Sequence, residues 1–292
     1  MSWRRATRWT GFSVAGAAAL GTAFTLGVLA GTGSTPAQPP PSTPVLDDAA
    51  DQIAGSALKP VDRDALEGAA IRGMLTAAGD RWGGWALTPK STANARPVTT
   101  TMVSEHVGRI VVPGFAKGTG RQVRSAVQDL ERQHVTGIVL DLRGNPGGLL
   151  SESVETASAF LHGGHVVTYT RRDELPQHLD AVGEGDTKTP LVVLVDGGTA
   201  SGAEVVAGAL QDRGRAVIVG TRTFGKGSVQ EPRTLSDGSS LALTVARYSL
   251  PSGRSVDGVG IEPDIDVITP GAMIGRALEV LIGLRADTSG TG

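Results

Sequence analysis

The 292-residue chain is 40% hydrophobic and 19% charged, carries a formal net charge of −2 and contains no cysteine. That composition supports a sizeable core and excludes a disordered chain, and the charge balance offers no electrostatic footprint for nucleic acid. The missing cysteines exclude a disulfide scaffold, a thiol nucleophile and a thiolate metal site, but not export, because a domain of this size folds without covalent staples.

Arg4, Arg5 and Arg8 precede an apolar run from Gly11 to Ala30. At about 1.5 Å per residue such a run is long enough to span a bilayer as a helix, and the arginines favour a cytoplasmic N-terminus. Residues 1–30 are therefore expected to be a single-pass signal anchor, or a signal peptide cleaved after the small-residue pattern Val28-Leu29-Ala30. The first case leaves the folded part tethered to the outer side of the cell membrane; the second leaves it secreted. Residues 31–46, rich in Gly, Ser, Thr and Pro, read as a flexible linker.

Residues 47–90 read as an N-terminal helical segment, with helices over Asp47–Ala57 and Arg63–Ala78, and 91–107 as an irregular connector. Gly108–Val112 reads as a strand. Gly120–Gln133 follows as an amphipathic helix with Val123, Val127 and Leu130 on its stripe. Gly137–Leu142 and Leu191–Val195 are short apolar runs, expected to be buried strands. Between them come a loop (Arg143–Gly148), a helix (Leu149–Leu161), a strand (His165–Thr170) and a polar, loop-like stretch (Arg171–Pro190). A helix from about Ser201 to Gln211 and strands at Val217–Val219 and Ser239–Tyr248 complete the regular part. The body spans 108–284, and 285–292 read as a disordered tail. The alternation of strands and helices predicts an α/β fold with parallel pairing and right-handed crossovers.

No G-x-S-x-G elbow, P-loop or dinucleotide fingerprint occurs. His106, His134, His162, His165 and His178 make no zinc pattern, so no metal and no cofactor is expected. Ser56-Ala57-Leu58-Lys59 matches S-x-x-K, but its companion motifs are missing and Pro60 follows at once, so the match is read as chance.

Three other segments carry more. In LVVLVDGGTASGAE, Leu191 to Glu204, a strand runs through two glycines into Ser201 at a helix start. Ser201 alone is most simply an N-cap; the same place also supplies free N–H donors and partial positive charge for an oxyanion. In GTRTFGKGSVQ, Lys226 lies between two glycines. Alone it is an ordinary surface lysine. To act as a base it needs burial, since a free lysine stays protonated near neutrality. It also needs a neutral orienting group; Gln230, four residues on, is one, whereas a carboxylate would hold the proton on. In DLRGNPGG, the loop leaves a buried strand at its carboxyl end, and Gly147 and Gly148 can offer backbone N–H groups to an anion. Asp141 and Arg143 read as a structural ion pair.

Together with DGSSLALTVARYSLPSGRSVDGVGIEPDI downstream, these blocks resemble the carboxyl-terminal processing peptidases, or tail-specific proteases, over roughly Gly108 to Asp264. The resemblance implies a crotonase-like core of spiral ββα units. It implies Ser201 as nucleophile, Lys226 as general base, Gln230 as the residue positioning it, and the N–H groups of Gly148 and Gly202 as oxyanion hole. The implied activity is endopeptidase cleavage of extracytoplasmic protein or peptide substrates. That family usually carries a PDZ domain before the core. Residues 91–107 are too few for one, so capture of a substrate tail by strand addition to that module is not expected in cis. Two further readings are a non-catalytic peptide-binding relative and a Ser-Lys esterase or amidase.

Overall fold

The computed structural model describes residues 43–87 and 96–289. The expected anchor or signal helix and most of the expected linker lie outside the described residues. Among those described, no helix is long and apolar enough to cross a membrane. Contacts divide the chain into two units, residues 1–67 and 68–292. The first holds helix α1 (Thr43–Ser56) and the start of α2 (Arg63–Ala77). Helix α1 thus begins inside the expected linker. Arg63 pairs with Asp47, Asp51 and Glu67, so one guanidinium ties the start of α2 to α1.

The second unit is a mixed α/β structure with two sheets. One contains β2 (Thr99–Ser104), β3 (Val107–Val111), β4 (Gly137–Asp141), β7 (Leu191–Val195), β8 (Val217–Gly220) and β11 (Ile265–Asp266) in the order β11-β8-β7-β4-β3-β2. All pairs are parallel except β2 with β3. The other sheet is antiparallel. It is built on the long β10 (Ser240–Ser249), which pairs with β1 (Gly84–Ala86), β5 (His165–Arg171) and β9 (Ser228–Thr234); β6 (Gln177–Asp180) extends it beyond β5.

The parallel sheet is covered on both faces, which is why its central strands β4 and β7 are almost wholly apolar. Ile138, Leu140, Val193 and Val195 belong to the core shared with α3 (Thr119–Arg132), α4 (Leu150–Ser158) and α5 (Gly202–Asp212). The alternate residues Val139, Val192 and Leu194 face Met273, Ala277 and Leu281 of α6 (Met273–Ser289). Glu152 fastens α4 to the start of α3 by accepting from the Gly118 and Gly120 N–H groups at 2.8 and 2.9 Å.

Several expectations are corrected. Residues 285–289, expected to begin a disordered tail, continue α6, whose Met273, Ala277 and Leu281 stripe closes the second face of the sheet; 290–292 lie outside the described residues. The stretch 171–190 is not all loop, since Gln177–Asp180 pairs with β5. The connector 91–107 is not irregular throughout, since Thr99–Ser104 pairs with β3. Both are largely exposed strands whose order comes from a partner's backbone rather than from their own pattern. Only residues 87–98 separate β1 from β2, a span too short for a domain.

Leu281 is 1% exposed and lies against Gly137 of β4. Leu281→Ala is expected to lower stability by about 2–5 kcal/mol through lost burial and a cavity. Chemical denaturation with an unchanged m-value would register it.

Candidate active site

Three loops leave the carboxyl ends of the adjacent parallel strands β4, β7 and β8, where such sheets form their sites. The first, DLRGNPGG, is braced from below. Asp141, 2% exposed, accepts from Arg109 at 2.5 Å and Arg143 at 2.6 Å. Burial pushes its carboxyl pKa up, but hydrogen bonding and attraction from Arg143, with help from Arg109, outweigh this and hold it below the usual range. Asn145, fully buried, donates from Nδ2 to the Val112 carbonyl and accepts the Gly147 N–H, both at 2.8 Å. That leaves Gly147 no donor to offer.

Gly148 is different. Its φ of 147° and the closeness of the Phe115 carbonyl, which a Cβ would strike, require glycine there. Among the described residues its N–H has no acceptor, and neither has that of Gly202 at the start of α5. The first and second loops are sewn together: Gly144 and Gly198 both donate to Asp196 Oδ1, at 2.8 and 2.9 Å, and Ala200 N–H donates to the Asn145 carbonyl at 2.9 Å.

Ser201 stands where α5 begins, but not as an ordinary cap. Its φ of 54° and ψ of −118° lie in a region costly for a side-chain-bearing residue, on the order of 1–3 kcal/mol. Two buried side chains hold it there. Glu204, wholly buried, accepts from the Ser201 and Lys226 N–H groups through Oε2, each at 2.8 Å. Through Oε1 it accepts from Thr223 Oγ1 at 2.5 Å and Gly225 N–H at 2.8 Å. The Tyr248 hydroxyl donates to the carbonyls of the same two residues, Lys226 at 2.7 Å and Ser201 at 3.0 Å. Burial, with Glu204 and Asp257 nearby, raises the phenol well above its ordinary pKa, so it remains a donor.

Lys226 is half-buried, with its Nζ 5.9 Å from the Trp82 ring centroid. Trp82 is held by a 2.9 Å bond from Nε1 to Asp257 and by a tilted contact with Phe224. Arg81 lies over the same ring and pairs with Asp257 at 2.9 Å. Burial pushes the Asp257 carboxyl up, but donors from Arg81, Trp82 and Gly227 bring it below the usual range.

Gly148, Ser201, Gly202, Lys226 and Gln230 line one cleft of about 200 Å3, with Tyr248 in its wall. The five residues singled out from the sequence therefore come together. No histidine lines the cleft, and the S-x-x-K pair Ser56 and Lys59 is exposed in the N-terminal unit. Among the described residues no cluster of metal-ligating side chains occurs. The sequence reading missed Glu204, Tyr248, Trp82 and Asp257. Only Glu204, at the third position of a helix opened by a serine, carried a local signal, that of a capping box.

Ser201 and Lys226 thus share a cleft with two backbone N–H groups that have no acceptor among the described residues, at the carboxyl end of a parallel sheet. The chain belongs to peptidase family S41, whose family description matches residues 106–267. It is 40% identical over 186 residues to the carboxyl-terminal-processing peptidase 3, chloroplastic, of Arabidopsis thaliana, covering 63% of this chain and 34% of that one. It is 43% identical over 166 residues to the carboxyl-terminal-processing protease of Synechocystis sp., covering 57% and 39%. The chain thus spans between a third and two fifths of the length of these relatives. Among solved structures, the photosystem II D1 C-terminal processing protease superposes with a TM-score of 0.55 at 38% identity, over 61% of this chain and 50% of that one. A lipoprotein from Streptococcus agalactiae reaches 0.64 at 17% identity over 82% and 88%, a likeness of fold alone.

Two outcomes are expected here. In Glu204→Gln the amide nitrogen must face two donors whichever way it turns, so kcat/KM should fall at least about 100-fold, or about 2.7 kcal/mol, in steady-state cleavage assays. For Asp141 the folded-state pKa lies below the unfolded one. Its contribution is complete above about pH 4 and is lost as pH falls through the folded value. Asp141→Asn should cost about 3 kcal/mol at pH 7 and flatten the acid limb of stability measured by urea unfolding across pH.

Proposed function

We propose that the chain is a serine-type endopeptidase that cuts extended protein or peptide substrates outside the cytoplasm. In this reading the core is crotonase-like, and the segment 1–30 carries the catalytic body across the membrane as an anchor or as a cleaved signal. The support for the chemistry is the convergence of Ser201, Lys226, Gln230 and the N–H groups of Gly148 and Gly202 on one cleft. The relatives named as processing proteases point the same way.

The proposed sequence of events is as follows. Neutral Lys226 takes the proton from Ser201 as its Oγ bonds to the scissile carbonyl carbon. The resulting oxyanion faces the Gly148 and Gly202 N–H groups and the positive end of α5. As the C–N bond breaks, the Lys226 ammonium returns its proton to the leaving amine, which leaves an acyl ester on Ser201. Water then attacks that ester with Lys226 again as base, freeing the new carboxyl end and restoring the serine. Gln230 holds the lysine in register throughout.

Lys226→Ala is expected to abolish casein cleavage, and Lys226→Arg to be equally inactive, because a guanidinium stays protonated at any workable pH. Both should fold as the parent does. Substantial turnover in Lys226→Arg would overturn the Ser-Lys pair. A fluorophosphonate probe should label the parent and not Ser201→Ala; no labelling would favour a peptide-binding relative. Labelling without casein cleavage would favour an esterase or amidase.

A further inference from the structure

The Gln230 side chain has two ends of nearly equal shape and opposite chemistry, a carbonyl that accepts and an amide group that donates. Which end faces Lys226 matters if Lys226 is the base. A neutral amine has one lone pair. An amide oxygen takes one of its N–H groups and leaves that pair for the serine; an amide N–H would take the lone pair itself.

Two bonds determine the choice, Gln230 to Thr244 and Thr244 to Asp80. Gln230 and Thr244 sit opposite each other in the β9–β10 register. Gln230 Nε2 donates to Thr244 Oγ1 at 3.2 Å and to Ser228 Oγ at 2.8 Å. Thr244 Oγ1 in turn donates to Asp80 Oδ1 at 2.6 Å. Asp80 also accepts the N–H groups of Trp82 at 3.2 Å, Gly83 at 2.7 Å and Thr244 at 2.8 Å. Burial pushes its carboxyl up, but the Thr244 hydroxyl and these backbone donors outweigh that and hold it below the usual range.

An ionised carboxylate only accepts. The single proton of the Thr244 hydroxyl is therefore committed to Asp80, and Thr244 Oγ1 can do nothing toward Gln230 except accept. That demands the amide end. Ser228 does not decide the matter, because a hydroxyl both donates and accepts and can serve either end. With both amide protons used on Thr244 and Ser228, the carbonyl oxygen is left for the cleft that Gln230 shares with Ser201 and Lys226.

We propose that Asp80, acting through the Thr244 hydroxyl, is a positioning residue that fixes the polarity of the Gln230 amide, so that its oxygen is presented to Lys226. This rests on the proposed roles of Lys226 and Gln230. It adds a polarised chain, Lys226 to Gln230 to Thr244 to Asp80, whose far end lies in the turn between α2 and β1.

Thr244→Val keeps the shape and the Thr244 N–H bond to Asp80 but removes the relay. It should lower kcat about 20-fold with KM unchanged within about twofold, because the lost contact acts on the base rather than on substrate binding. Thr244→Ser, which restores the hydroxyl, should recover kcat to within about threefold of the parent. Ser228→Ala should be milder than Thr244→Val. A second readout is independent of turnover. The side-chain amide protons of Gln230, observed by 15N NMR, should exchange slowly in the parent and in Thr244→Ser, and rapidly in Thr244→Val.

Parent-like kcat in Thr244→Val, or Thr244→Ser as slow as Thr244→Val, would overturn the proposal. So would a Gln230 amide in the parent that exchanges as fast as an exposed glutamine, a result that needs no variant to fold. Failure of the Ser-Lys reading shows separately, as turnover surviving in Lys226→Ala, while the amide exchange still tests the relay.

Discussion

The site depends first on one buried carboxylate. Glu204 has no exposed surface, and an ion so placed is costly unless every lone pair is used. Here four donors converge on it: the hydroxyl of Thr223 and the N–H groups of Ser201, Gly225 and Lys226. Three of them come from the loop after β8 and one from the start of α5, so the carboxylate fastens one loop to the other. Tyr248 repeats the bond with opposite polarity, giving its proton to the carbonyls of Ser201 and Lys226. Each of the two residues is thereby held at both its N–H and its C=O. A backbone pinned at both groups can keep the unfavourable φ of Ser201, since relaxing it would leave a buried carboxylate and a buried hydroxyl short of partners.

The parallel sheet supplies the frame for these bonds. Its central strands are buried on both faces, between α3, α4 and α5 on one side and α6 on the other, so their register is strongly specified. Their carboxyl ends then deliver the three loops side by side, and Asp141, Asn145 and Asp196 spend their hydrogen bonds on keeping the loops there. The donor left over at Gly148 is a product of this arrangement: Asn145 takes its neighbour's N–H.

What the sequence disclosed divides along the same line. Strands β4 and β7 were legible because burial on both faces demands unbroken apolar runs. Ser201, Lys226 and Gln230 were singled out through glycine-rich blocks that resemble a family; alone, Ser201 reads as an N-cap and Lys226 as a surface lysine. Strands β6 and β2 were not, because their residues are mostly exposed and only pairing makes them strands. Helix α6 escaped notice because Pro270 and Gly271 precede it and apolar residues such as Ile274, Leu278 and Ile282 broaden its stripe. Tyr248 looked like one more strand residue. Its part in the site comes from a hydroxyl that reaches carbonyls 22 and 47 positions away, a relation no local pattern encodes.

The bonds around the cleft also differ in how much chain they enclose. Those of Glu204 join residues within 22 positions of one another, whereas the Thr244–Asp80 bond closes a loop of 164. Closing the longer loop costs more entropy, and contacts of high sequence separation tend to form late. A molecule still folding can therefore assemble the serine and lysine from one contiguous stretch while the amide beside them has no fixed sense. Full reactivity then waits until the segment before β1 has docked on β10. Under the proposed mechanism, cleavage of the chain's own still accessible backbone would be hindered during that interval.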